Sequence, residues 1–225
     1  MKPKETLSSI RTSQPSGRSH LVAYAIRLEY FTVSWNVLEA LVALASGIIA
    51  GSIALVGFGL DSVVESMSAV VLLRRLLWEQ GQSEGGDGAT ADSIIDRERR
   101  ALRWVGWTFL ALSAFVAVES VRKLWLGDRP DTSVPGLILL CLSLVVMPFL
   151  AAAKFRTARE LGSMALRGDA KETLVCSVLS VITLTGLILN SAYGWWWADP
   201  VAALALLPWI LKEGIEAIRT DGPGA

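Results

Sequence analysis

The 225-residue chain carries 21 basic and 21 acidic residues, so its formal net charge is zero. Hydrophobic residues make up 52% of the chain and charged residues 19%, and the mean hydropathy is +0.48. This composition is too apolar for an ordinary soluble domain, and the neutral charge argues against a nucleic-acid partner. The sequence therefore predicts a polytopic membrane protein embedded in a lipid bilayer.

The first long apolar run, residues 31–73, is too long for a single membrane span. Its 43 residues contain three charges, Glu39, Asp61 and Glu65. As one helix they would extend about 64 Å, which is about twice the thickness of the hydrocarbon core. We therefore predict two spans that fold back at the small-residue stretch SGIIAGS, residues 46–52.

Four more apolar stretches complete a predicted all-α fold of six transmembrane helices. They cover residues 105–125, 134–153, 173–190 and 195–211. We expect one transmembrane domain over residues 25–218, a disordered cytoplasmic N-tail at 1–24 and a C-tail at 219–225. The Gly- and Ser-rich segment within 79–96 predicts a flexible linker, and the charged residues 94–103 predict an extension of the third helix.

The distribution of basic residues predicts the orientation. With six spans, 18 of the 21 Lys and Arg residues lie on one side and only Arg122, Lys123 and Arg129 on the other. Both termini should therefore be cytoplasmic. The first twenty residues contain no apolar core of a signal peptide, and we expect a bacterial inner membrane or plasma membrane location.

An internal repeat relates the second span to the fifth. SIALVGFGLDSVVES, residues 52–66, aligns without gaps to SMALRGDAKETLVCS, residues 163–177, with six identical positions. Asp61 aligns with Glu172, and Glu65 aligns with Cys176. Because spans two and five run in opposite directions, this predicts a three-plus-three inverted repeat, the architecture of secondary transporters with a site at the repeat interface.

The spacing of the aligned residues predicts a metal site. Asp61 and Glu65, and likewise Glu172 and Cys176, are four residues apart and share one helix face. Four such ligands suffice for a tetrahedral divalent ion, with Zn²⁺ first and Mn²⁺, Fe²⁺ or Cd²⁺ as alternatives. Some of these groups should hold protons when the site is empty, so H⁺ is the predicted coupling ion.

Each of these residues also has a structural interpretation. Buried acids can serve only as hydrogen-bond partners between helices, and a buried Cys176 can be a small apolar filler. Asp169 is interpreted as an acid at the cytoplasmic mouth, with a fourth ligand or a partner of Lys171 or Arg167 as alternatives. A competing register begins the fifth span at Thr173, which would place Glu172 at the membrane interface.

Three further acids are candidates for a proton relay or an access path. Glu39 on the first span and Glu119 on the third either relay protons or bond to neighbouring helices. Asp199 precedes Pro200 after three tryptophans, a pattern typical of a helix start, with an outer vestibule as the alternative.

These motifs, together with WWWADP at residues 195–200, resemble the cation diffusion facilitator family. The resemblance covers about residues 25–218 and is to the short branch that lacks a cytoplasmic C-terminal domain. It implies six spans, ligands at Asp61, Glu65, Glu172 and Cys176, and a homodimer. The chain departs from the family at span five, where Glu172 and Cys176 stand in place of the usual His and Asp.

The resemblance implies a non-enzymatic transporter that exports Zn²⁺ or a related cation from the cytoplasm by proton antiport. We expect no permanently bound cofactor, since the metal is the substrate. Two alternatives remain: a proton-coupled carrier of another substrate, and a non-transporting membrane subunit whose acids only pack helices.

Overall fold

The computed structural model describes residues 16–82 and 91–219 and places them in six helices. The helices are α1 (Ser16–Ala50), α2 (Ile53–Gln82), α3 (Ala91–Leu126), α4 (Val134–Leu161), α5 (Met164–Tyr193) and α6 (Ala198–Arg219). Helices α1, α2, α4 and α5 are long and apolar enough to cross a membrane. The predicted all-α, polytopic fold is therefore confirmed.

Several helix boundaries differ from the predicted ones. Helix α1 begins at Ser16, so the prediction of disorder is wrong for residues 16–24, while residues 1–15 lie outside the described part of the chain. The reason is packing: Val22 is buried in a cluster with Leu73 and Leu76 of α2. Helices α2 and α3 also extend into the predicted linker from both sides, which leaves only 83–90 outside the description.

The turn predicted at 46–52 is a two-residue reversal between α1 and α2. Gly51 has a φ of 64°, a left-handed conformation that glycine adopts without a steric penalty. The Ser52 amide donates to the Gly47 carbonyl at 2.9 Å, which closes the end of α1. This tight reversal makes α1 and α2 an antiparallel hairpin.

The aligned segments of the repeat begin their helices in the same way. The Ser52 hydroxyl accepts a hydrogen bond from the Leu55 amide at 3.1 Å, and the Ser163 hydroxyl accepts one from the Leu166 amide at 3.3 Å. Each serine thus caps the helix that follows it. Helix α2 packs on α1 and α5 packs on α4, while α3 and α6 pack against each other.

The central core lies between these pairs of helices. Phe58 of α2, Leu140 and Met147 of α4, and Leu206 and Ile210 of α6 are fully buried in one cluster. Helices α2 and α5 both contribute side chains to this core and also contact each other.

Candidate metal centre

Two helices bring three of the predicted ligands together. One carboxylate oxygen each of Asp61 and Glu65 on α2, and the Cys176 sulfur on α5, lie within 4.8 Å of one another. All three residues are buried. In the described part of the chain this is the one group of three or more His, Cys, Asp or Glu residues placed to hold a metal.

The separations fit a small divalent ion. Tetrahedral ligands at Zn–O and Zn–S distances lie about 3.3–3.8 Å apart, so a small contraction of the group would accommodate the ion. Both carboxylate oxygens of Glu65 are buried and accept no hydrogen bond of ordinary geometry from a described residue, although Thr173 and Cys176 lie close to them. A buried carboxylate is costly to ionise, and a bound cation would stabilise its charged form.

The fourth predicted ligand, Glu172, lies beside this group. Its Oε2 accepts a hydrogen bond at 2.8 Å from the hydroxyl of Ser68, about one turn beyond Glu65 on α2. The axial offset of the two helices explains this position. Because α2 and α5 run in opposite directions and Cys176 lies beside Glu65, the turn before Cys176, which carries Glu172, lies beside the turn after Glu65, which carries Ser68. Helix α5 runs unbroken from Met164 to Tyr193, so Glu172 and Cys176 lie on one continuous helix.

A second buried polar cluster joins α1, α4 and α5. The ammonium of Lys154 forms ion pairs with Asp169 and, at 3.4 Å, with Glu29, and it donates to the Thr173 hydroxyl at 3.3 Å. Lys154 and Glu29 are fully buried, and Asp169 nearly so. The cation beside Asp169 is therefore Lys154, whereas Arg167 and Lys171 are exposed.

The sequence did not predict that Lys154 and Glu29 are buried. Lys154 was counted only as a cytoplasmic charge, yet it follows Met147, Leu150 and Ala151 on the buried face of α4. This helical spacing is the signal that could have located the lysine inside the bundle.

Glu39 is fully buried next to the α2 face that carries the ligands. Its carboxylate accepts hydrogen bonds from the Trp35 indole at 2.7 Å and from the Ser62 hydroxyl at 3.3 Å. Ser62 directly follows Asp61 on α2. Glu39 on α1 therefore contacts the helix that supplies two of the candidate ligands.

Asp199 and Glu119 lie elsewhere. Asp199 is buried in the first turn of α6, but its carboxylate accepts from the Ser52 hydroxyl and, at 2.9 Å, from the Ile53 amide. It thus binds the start of α2 as well as belonging to the start of α6. Glu119, in the last turns of α3, forms an ion pair with the half-exposed Arg122 at 2.5 Å.

Comparison with known proteins identifies one family. Residues 104–223, just over half of the chain, match the sequence model of the cation efflux transmembrane domain. The matched part includes Glu172 and Cys176 but not Asp61 or Glu65. Transmembrane protein 163 of Xenopus laevis is similar at 23% identity over 200 residues, which cover 88% of this chain and 68% of that protein.

Proposed function

Because the chain belongs to the cation diffusion facilitator family and is therefore a membrane transporter of metal cations, we propose that it exports Zn²⁺ from the cytoplasm in exchange for protons. The observation that carries this proposal is the buried group of Asp61, Glu65 and Cys176 at the contact between α2 and α5. Helices from both halves of the molecule supply its ligands. A change in how the halves pack would therefore act directly on the bound ion.

The ligand types favour Zn²⁺. A thiolate beside two carboxylates suits a borderline ion, and Zn²⁺ accepts sulfur and oxygen ligands in one tetrahedral shell. Mn²⁺ and Fe²⁺ prefer the carboxylates, and Cd²⁺ prefers the thiolate, so these ions are the next candidates.

Proton exchange follows from the same ligands. A thiol and carboxylic acids must lose their protons before they bind a metal, so metal entering the centre releases protons and returning protons release the metal. In the proposed orientation both termini are cytoplasmic, and the metal approaches from that side past Asp169. The two halves then rock relative to each other and open the centre to the other side of the membrane. From the resemblance to the family, we also expect a homodimer whose protomers contact each other through their transmembrane helices.

Flux measurements in proteoliposomes test this function. Vesicles with an acidic interior and a trapped Zn²⁺ indicator should take up Zn²⁺ in proportion to the imposed pH gradient. Glu65→Gln and Cys176→Ser should each reduce the uptake at least about tenfold, since the first replaces a carboxylate ligand with a neutral amide and the second replaces a thiolate with a hydroxyl that stays protonated. Cys141→Ser is the matched control, because Cys141 is an exposed cysteine on α4 and its replacement should leave uptake unchanged.

Two outcomes would contradict the proposal. Uptake by the folded parent that does not exceed that of protein-free vesicles would remove Zn²⁺ as the substrate. Uptake that Glu65→Gln leaves intact would remove the centre from the transport path.

A further inference from the structure

The candidate centre has three ligands, whereas a tetrahedral ion takes four. Asn36 on α1 offers an unused ligand atom. Its side chain is fully buried, and neither Oδ1 nor Nδ2 has a hydrogen-bond partner among the described residues. Burying an amide without partners destabilises a fold, and leucine would fill the same volume without that penalty.

The packing of the α1–α2 hairpin places Asn36 at the level of the centre. Ser62 on α2 donates to Glu39 on α1 at 3.3 Å, so these two residues lie side by side. Because the helices are antiparallel, one turn back from Glu39 along α1 corresponds to one turn forward from Ser62 along α2. Those two steps lead to Asn36 and Glu65.

Asn36 and Glu65 lie at the same level of the helix pair, and both bury polar atoms that are poorly satisfied by hydrogen bonds. Both polar atoms of Asn36 are buried and without a hydrogen-bond partner in the described ranges, and the buried Glu65 carboxylate accepts no hydrogen bond of ordinary geometry there, although Thr173 and Cys176 lie close to it. An amide and a carboxylate on facing turns would ordinarily bond to each other. An ion between them would satisfy the carboxylate and the amide oxygen together.

We propose that Asn36 Oδ1 is the fourth ligand of the transported metal, beside Asp61, Glu65 and Cys176. This inference rests on the proposed function, since it requires that the centre binds the ion. The amide oxygen adds no charge, so the ligand set carries one charge less than a set completed by Glu172. It is also a hard donor, which makes the centre more favourable for Mn²⁺ than a histidine would.

Metal affinity and metal-free stability, measured on the purified protein in detergent, test the inference together. Asn36→Leu should weaken Zn²⁺ binding about 10- to 100-fold by calorimetric titration and raise the melting temperature without metal. Asn36→Asp retains an oxygen ligand and should bind Zn²⁺ at least as tightly as the parent.

Thr183→Val is the matched control. The Thr183 hydroxyl is also buried without a partner in the described chain, but it lies about two turns beyond Cys176 on α5. Its replacement should raise the melting temperature and leave Zn²⁺ affinity unchanged.

Two results would overturn the inference, and only the second would also contradict the proposed function. Unchanged Zn²⁺ affinity in Asn36→Leu, with a parent that binds Zn²⁺, would remove Asn36 from the ligands and leave the proposed function intact. A folded parent that binds neither Zn²⁺ nor Mn²⁺ would remove both.

Discussion

The two helical hairpins, α1–α2 and α4–α5, share a backbone plan and differ in the charges they bury. In both, a serine at an aligned position caps the second helix. Among the side chains that the structure describes in α1 and α2, the buried charged ones are all acidic, namely Glu29, Glu39, Asp61 and Glu65. Helices α4 and α5 instead bury Lys154 and Asp169.

This difference distinguishes two kinds of polar cluster. The cluster around Lys154 contains its own cation, covalently attached to α4, and both of its acids are paired with that lysine. The group of Asp61, Glu65 and Cys176 contains no cation of its own, although Lys154 is near enough to attract the carboxylate of Glu65. We therefore expect the first cluster to stabilise the fold without an added ion, and the second to gain stability when a metal ion binds.

The largest expected effect is the loss of Lys154. Lys154→Met would leave Glu29 and Asp169 buried without a cation, which should lower the free energy of unfolding by about 3–5 kcal/mol. Neutralising both acids in the same chain, with Glu29→Gln and Asp169→Asn, should restore most of that loss. Denaturant unfolding in detergent without metal measures both variants.

Lys171→Met serves as the control for removing a lysine, since Lys171 is exposed on α5. Its stability should stay within about 0.5 kcal/mol of the parent. If Lys154→Met were equally harmless, the ion pairs would contribute nothing to the fold and the contrast between the clusters would disappear.

A second comparison concerns the aligned residues Asp61 and Glu172. Asp61→Asn removes a charged ligand of the centre and should weaken Zn²⁺ binding at least about 100-fold, which corresponds to about 2.8 kcal/mol. Glu172→Gln changes a side chain that hydrogen-bonds to Ser68, so its effect on affinity should stay below about tenfold.

Calorimetric titration of both variants in the same detergent decides between an asymmetric and a symmetric centre. Equal losses of affinity would mean that Glu172 leaves Ser68 and joins the metal, as the repeat alone predicts. Thermal melting with saturating Zn²⁺ provides an independent check, since a ligand that binds only the folded state raises its stability.

The sequence predicted the parts of the structure that depend on local spacing. The four-residue interval places Asp61 and Glu65 on one face of α2, and the small residues 46–52 locate the first turn. The position of Glu172 depends on how far α5 is displaced along α2, and no local pattern encodes that displacement. The partner of Asp169 was missed for a similar reason, since Lys154 reaches it from another helix.

The smallest expected effect separates two helix caps that look identical in the sequence. Ser163→Ala removes a local cap at the start of α5 and should lower the free energy of unfolding by about 1 kcal/mol. Ser52→Ala removes the equivalent cap of α2 together with the hydrogen bond to Asp199 of α6, so the loss should approach about 2 kcal/mol.

The difference between the two serine variants isolates the contribution of the contact between α2 and α6. Asp199→Ala in the Ser52→Ala background should then cost less than Asp199→Ala alone, because the two side chains share one hydrogen bond. Strictly additive losses in this double-mutant cycle would show that Ser52 acts only on its own helix. A coupling of the expected sign would instead mean that Ser52 both caps α2 and bonds to Asp199 at the start of α6. Ser163 caps only its own helix, so this contact between helices would be the difference between the two caps.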